Sequence, residues 1–322
     1  MTTGAEIFPW QQAQWHQLSG LLEQDVLPHA LMFAGPSEIG KHRFAMAFAQ
    51  TLLCAAPQDW RACGRCKTCN LFAAATHPDF LQITPEAEGK VIPVARIREL
   101  GEFASRTASM GGRRVMLIEP AEAMNINAAN AVLKTLEEPG KDVCIILLVH
   151  QPGRILPTIR SRCQILPFPL PAGELVRPWL QARVGSEADI AQVMALSGGR
   201  PLRALRLQET ELKDHLQTFA DTLDQVEAGI LPVLEGAKLI QGLAKADAIE
   251  WFQYRVYQRL RDASRAQHQR ARLLFRFLDR LTLVRQRMFS TANPNPQLVW
   301  EEILMDWKSV IDLCQTHETQ AL

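Results

Sequence analysis

No run of apolar residues in this sequence approaches the roughly 20 needed to cross a bilayer as a helix, so no membrane-spanning helix is expected. The opening residues Met1 to Glu6 offer neither a basic n-region nor an apolar h-region. No secretory signal is expected, and the expected location is the cytoplasm. Charge of a single sign is also missing: 35 basic residues face 34 acidic ones, a net charge of +1. That balance argues against a protein built mainly to coat nucleic acid, although local basic patches stay open. Internal repeats and low-complexity segments are absent. Disulfides are not expected in a reducing compartment, so the 7 cysteines point to metal ligands or buried thiols. The remaining composition, 47% hydrophobic and 21% charged over 322 residues, suits an ordinary globular protein of two or three domains.

What is present centres on Leu31 to His42. The apolar run Leu31-Met32-Phe33-Ala34 leads into Gly35, and Gly40, Lys41 and His42 follow. The next segment, Arg43 to Cys54, has no Pro or Gly and reads as a helix. Strand, glycine-framed loop and helix form the context of a Walker A phosphate loop, whose backbone N–H groups cradle an anion. Lys41 is placed to reach β/γ-phosphates. The residue after the lysine should carry a hydroxyl for Mg²⁺, and here it is His42, a poor ligand for a hard cation.

Alternation of strands and helices continues to about residue 168. Strands are expected at His77–Ile83, Val115–Ile118, Val143–Val149 and Gln164–Phe168. Amphipathic helices are expected at Ile92–Ala108, ended by Gly111-Gly112, and at Asn125–Glu138. Such alternation implies a parallel sheet covered on both faces. From Pro171 the strand signal disappears and helices take over, with Leu274, Phe277, Leu278, Leu281, Val284 and Met288 on one face. A turn at Thr291 to Pro296 precedes the last helix.

Three groups of residues carry chemistry. Cys63-Gly64-Arg65-Cys66-Lys67-Thr68-Cys69, with Cys54 upstream, supplies four thiolates at a spacing that closes around Zn²⁺. An iron–sulfur cluster and a redox C-x-x-C pair are the rival readings; the first lacks a further cysteine after Cys69, and the second leaves two cysteines unused. Cys144, Cys163 and Cys314 read as inert buried thiols. The strand ending in Glu119 resembles a Walker B strand, yet Pro120 stands where a catalytic acid belongs and the next acid is Glu122. The bland alternative for Glu119 is a surface or capping acid. Arg162, in Ser161-Arg162-Cys163, is a candidate arginine finger, with an ordinary surface ion pair as its alternative. Ten arginines between Arg255 and Arg287, Arg265 among them, either face nucleic acid or form the charged side of a helical bundle.

Several motifs together resemble the delta-prime subunits of the bacterial DNA polymerase III clamp loader, of the AAA+ class. These are Pro28-His29-Ala30-Leu31, the loop Gly35 to Lys41, the four cysteines and His77-Pro78-Asp79. Asn130 to Pro139, including Leu133-Lys134-Thr135-Leu136-Glu137-Glu138, and Leu156 to Cys163 complete the set. The resemblance implies an α/β chain in three parts. Residues 1–168 would be a RecA-like AAA+ domain with a zinc module at 54–69, residues 169–208 a small helical lid, and residues 209–322 an all-helical collar. It implies a hetero-pentamer with the delta and gamma/tau subunits, which loads a sliding clamp onto primed DNA. It implies a partner that does not itself turn over ATP, and an Arg162 presented in trans to ATP on a gamma/tau neighbour. Because Gly35, Gly40 and Lys41 are intact, binding of ATP or ADP stays open. The lid's arginine sensor falls at Arg203 or is replaced by Leu202. Rival classes are an active AAA+ ATPase, opposed by His42 and Pro120, and a zinc-dependent DNA-binding protein, opposed by the near-neutral charge.

Overall fold

The computed structural model describes residues 7–87, 89–184, 187–208, 210–243, 245–262, 268–288 and 295–319. The chain divides into two compact units, Met1–Ile190 with Gly199–Arg203, and Ala191–Gly198 with Ala204–Leu322.

The first unit is built on five parallel strands: β1 (Ala30–Ala34), β2 (Phe80–Ile83), β3 (Arg114–Ile118), β4 (Val143–Val149) and β5 (Gln164–Pro167), in the order β2-β3-β4-β1-β5. Its helices are α1 (Gln12–Glu23), α2 (Lys41–Leu53), α3 (Lys67–Ala73), α4 (Val94–Ser105), α5 (Ile126–Glu137), α6 (Pro157–Arg160) and α7 (Gly173–Val184). Strand β4 is Val-Cys-Ile-Ile-Leu-Leu-Val, buried at every position, as a strand with both faces covered must be. Alternate side chains sort into two cores. Leu31, Phe33, Leu117, Ile146 and Leu148 pack with Trp15 and Leu18 of α1 and Phe44 and Phe48 of α2. Met32, Met116, Ile118, Ile145 and Leu147 pack with Ile97 and Leu100 of α4 and Val132 and Leu136 of α5.

Two sequence expectations are corrected by the structure. Helix α4 stops at Ser105, before Gly111-Gly112, because Asp79 takes the backbone that would continue it. Its carboxylate, 1% exposed, accepts the N–H groups of Ser109 (2.7 Å) and Met110 (2.9 Å) and lies 3.6 Å from Arg114 Nε. The strand expected from His77 starts only at Phe80, since His77 Nδ1 accepts the Asp79 N–H at 3.1 Å and turns the chain.

Helices α8 (Glu187–Leu196) and α9 (Pro201–Arg206) are divided between the units. The second unit also contains α10 (Thr210–Glu227), α11 (Val233–Gln241), α12 (Lys245–Asp262), α13 (His268–Met288) and α14 (Pro296–Thr319). Phe252 is its hub, with ring centroids of Phe219, Phe277 and Trp307 at 5.8, 5.3 and 5.3 Å. The arginines of α12 and α13 find acids on other helices: Arg255 pairs with Asp224 and Glu227, and Arg259 with Glu227. Arg280 pairs with Glu302 and Asp306, and Arg285 with Glu250. Buried Glu227 also accepts Trp307 Nε1 at 3.0 Å. At these positions the arginine stretch forms the charged side of a bundle, while Arg265 lies outside the described residues. So does the turn from Thr291 to Pro294; Asn295 Oδ1 accepts the Gln297 N–H at 3.0 Å as α14 begins.

Candidate functional site

The carboxyl ends of β1, β3 and β4 lie side by side, the edge of an open parallel sheet where ligands bind. From β1 the chain enters the loop Gly35 to Gly40. A β-carbon on Gly35 would stand 1.9 Å from the Phe168 carbonyl oxygen. Gly40 has φ +91° and would meet the Phe8 ring at 2.3 Å, so both framing glycines are required by space and the second by conformation as well. Trp10 Nε1 and Gln11 Nε2 donate to the Ile39 carbonyl at 2.9 and 3.2 Å and fix the loop from the amino-terminal segment.

Lys41 opens α2 and folds back onto the loop, donating from Nζ to the carbonyls of Gly35 (2.7 Å) and Pro36 (2.5 Å). It is 2% exposed, and burial lowers its pKa to about 8 against the opposing pull of Glu122 and Glu119. One residue on, His42 Nδ1 lies 2.5 Å from Glu119 Oε2, just past β3. The Glu119 hydrogen bond raises the imidazole pKa above its ordinary value. Glu122 is engaged as well: its Oε1 accepts the N–H groups of His150 (2.9 Å) and Gln151 (3.1 Å) beyond β4. Burial, with Lys41 nearby, pushes His150 down to about 4. Sequence reasoning missed His150. Its signal was a polar residue ending an apolar strand, which gains meaning only once β4 is known to lie between β1 and β3.

Glu38 sits within the loop at φ 59°. Its carboxylate lies 3.8 Å from both Arg200 Nη1 and Arg203 Nη1, and its carbonyl accepts the Leu202 N–H at 3.1 Å. Arg203 thus brings a side chain to the loop, whereas Leu202 brings backbone.

The four cysteines converge apart from this edge. The sulfurs of Cys54, Cys63, Cys66 and Cys69 lie within 4.8 Å of one another, with Cys54 Sγ and Cys66 Sγ 3.8 Å apart. A tetrahedron of thiolates about 2.3 Å from a central ion has edges of about 3.8 Å, so the four residues can hold a metal ion. Burial opposes the Cys66 thiolate, but Thr68 and the backbone N–H groups of Cys69 and Ala55 outweigh it and bring the thiol to about 5. Cys66 also caps α3, its sulfur accepting the Cys69 N–H. Burial raises the thiols of Cys54 and Cys69 within the group, and outside it pushes Cys144 and Cys163 up to about 12.

Arg162 follows α6. Its Nη1 donates to the Thr158 carbonyl at 2.9 Å, and its Nη2 lies 2.6 Å from Glu137 Oε1 at the end of α5. In the single chain it is therefore held by an ion pair.

A glycine-framed loop at the carboxyl edge of a parallel sheet, in a chain that continues into an all-helical unit, is the AAA+ type of fold. A DNA polymerase III gamma subunit-related protein from Thermotoga maritima shares it, with a TM-score of 0.51 at 17% identity over 92% of this chain and 99% of that one. The family model described as DNA polymerase III, delta subunit, matches residues 10–171. The DNA polymerase III subunit delta' of Pseudomonas aeruginosa is 38% identical over 333 aligned residues, covering 95% of this chain and 98% of that one. That of Haemophilus influenzae is 34% identical, over 66% of each chain. The chain belongs to the delta-prime family of DNA polymerase III. Among the described residues, no helix is long and apolar enough to cross a membrane.

The two imidazoles at the edge should titrate in opposite directions. The raised pKa of His42 means that its pairing with Glu119 contributes stability below its unfolded value, lost as pH rises through the folded one. The depressed pKa of His150 makes folding less favourable as pH falls from its unfolded value toward about 4. NMR titration should place His42 above 6.5 and keep His150 neutral nearly to 4, with Glu119→Gln lowering both, His42 through a lost hydrogen bond and charge and His150 through a lost charge alone. A His42 midpoint untouched by Glu119→Gln contradicts this geometry.

Proposed function

We propose that this chain is the non-motor subunit of a DNA polymerase III clamp loader and supplies Arg162 in trans to ATP held by a gamma/tau neighbour. The observation that carries the proposal is the 2.5 Å contact between His42 and Glu119. Phosphoryl transfer in loops of this kind needs a hydroxyl and a carboxylate on Mg²⁺, and a group that orients the attacking water. Here an imidazole replaces the hydroxyl and occupies the carboxylate, Pro120 replaces the acid, and Glu122 is engaged with backbone N–H groups. Gly35, Gly40 and Lys41 keep the shape of a nucleotide cradle without the parts that use it.

Family membership supports the rest of the reading. Residues 1–168, 169–208 and 209–322 act as AAA+ domain, lid and collar. The assembly contains delta and gamma/tau subunits in a cytoplasmic hetero-pentamer and reaches the sliding clamp and primed DNA as a complex. The ion pairs that commit Arg255, Arg259 and Arg280 to bundle acids argue against direct DNA binding by those residues.

The metal of the cysteine module is proposed to be a structural zinc ion, held by Cys54, Cys63, Cys66 and Cys69. When bound it cross-links the segment between α2 and α3 and adds folding free energy there. Elemental analysis of the purified chain should find one zinc and no iron per chain. Cys66→Ser should release the zinc and loosen the module while the sheet core persists. A brown protein, or zinc far below one per chain, contradicts the assignment.

The finger is tested in the reconstituted complex by clamp- and DNA-stimulated ATP hydrolysis. An arginine finger in trans is worth about 10³–10⁵ in rate at its own site, and other interfaces remain, so Arg162→Ala should lower total activity partially. Assembly should survive, because the Glu137 pair is exposed and contributes little. Arg162→Lys should not rescue, lacking the planar fork. Full activity of Arg162→Ala in an intact complex excludes the finger, and loss of assembly makes Arg162 an interface ion pair.

A further inference from the structure

We infer that Thr68 and His77 are positioning residues of the cysteine module, two buried side-chain donors that serve the sulfur of Cys66 and tie the metal-loaded module to the start of β2. This rests on the zinc reading of the four cysteines, and it gives the motif His77-Pro78-Asp79 a task.

Four thiolates around one divalent ion leave an excess of negative charge on sulfur. Groups that donate to those sulfurs help to set how tightly the metal is held. On one side of Cys66 such a donor is in place. Thr68 is 5% exposed and sets its hydroxyl 3.1 Å from Cys66 Sγ. The same oxygen accepts the Ala55 N–H at 3.2 Å, which leaves its proton for the sulfur. One hydroxyl thus joins the chain just past Cys54 to Cys66, two ligands whose sulfurs are 3.8 Å apart.

His77 supplies the second donor. Its side chain is 6% exposed, and its Nδ1 accepts the Asp79 N–H at 3.1 Å. The neutral ring therefore carries its proton on Nε2. That Nε2 is buried and has no hydrogen-bond partner among the described residues, a rare condition that calls for an acceptor. The Asp79 carboxylate is taken up by the N–H groups of Ser109 and Met110 and by Arg114. The sulfurs remain. His77 lies in the turn between α3 and β2, which Phe72 and Phe80 close with ring centroids 4.8 Å apart. Burial lowers the imidazole pKa, and the charges of Asp79 and Cys66 oppose it, so Cys66 is near enough to be felt. Metal binding ionises the thiols, which turns Cys66 from a weak acceptor into a strong one.

The test uses the full chain, with Zn²⁺ affinity measured by chelator competition and Co²⁺ reporting on sulfur through its thiolate charge-transfer band. Thr68→Val and His77→Phe remove the donors. Each should weaken Zn²⁺ binding about tenfold to a hundredfold, the usual cost of losing such a partner. Each should also move the Co²⁺ band of the fully loaded chain to longer wavelength, because sulfur relieved of a hydrogen bond gives up electron density more readily. Thr68→Ser and His77→Gln keep a donor and should recover most of both effects. Unchanged affinity and band in either donor-less variant overturn the inference. So does weaker binding with an unmoved band, the result of loosened packing alone. If His77→Phe does not fold, the unaltered ¹⁵N-labelled chain decides: its His77 Nε2–H proton should move downfield when Zn²⁺ is added, and an unmoved signal overturns the inference. An unaltered chain that takes up neither ion overturns the zinc reading itself, a result told apart from the others because it needs no variant.

Discussion

Everything at the carboxyl edge of the sheet depends on burying strand β4 on both faces. Val143 to Val149 leave no position exposed, so helices must cover both sides and the strand must lie inside the sheet. With β4 between β1 and β3, the loop after β1, Glu119 after β3 and His150 after β4 share one edge. At that edge Lys41, His42, Glu119, Glu122 and His150 meet, although they span more than a hundred residues of sequence.

The polar groups gathered there answer one another. Lys41 answers the carbonyls of Gly35 and Pro36, His42 answers Glu119, and Glu122 answers the backbone after β4. Glu38 answers the arginines of the neighbouring segment. Burial makes the Lys41 contacts costly to undo, while the His42–Glu119 pair stays partly open to solvent. A motor needs such groups available to nucleotide, metal and water in turn. A rigid partner is better served by groups that already satisfy each other.

Much of the fold was legible in the sequence because parallel strands covered on both faces read as unbroken apolar runs, as Val115–Ile118 and Val143–Val149 do. The cysteine group was legible because metal ligands obey short spacings. The turn at residues 106–110 was not, since it depends on Asp79, about thirty residues away, taking the N–H groups of Ser109 and Met110. Helix α3 escaped because seven residues inside a Cys-rich segment show no clear period and rely on a sulfur cap. In the site, His42 and Pro120 were readable as wrong residues at motif positions. That His42 binds Glu119, 77 residues on, needed the strand order, as did the place of His150. The partners of Glu38 needed the path of the chain after α8. Arg162 was legible as a candidate, while its ion pair with Glu137 was not.

If the metal-binding and water-activating parts of the phosphate loop are closed off, the isolated full chain should not turn over nucleotide. The decisive measurement is Mg²⁺-dependent ATP hydrolysis by that chain at saturating ATP. A rate at background is expected, identical in the unaltered chain and in Lys41→Ala, with weak nucleotide binding permitted. Steady turnover that requires Mg²⁺ and disappears in Lys41→Ala would mean that the loop is a working motor after all.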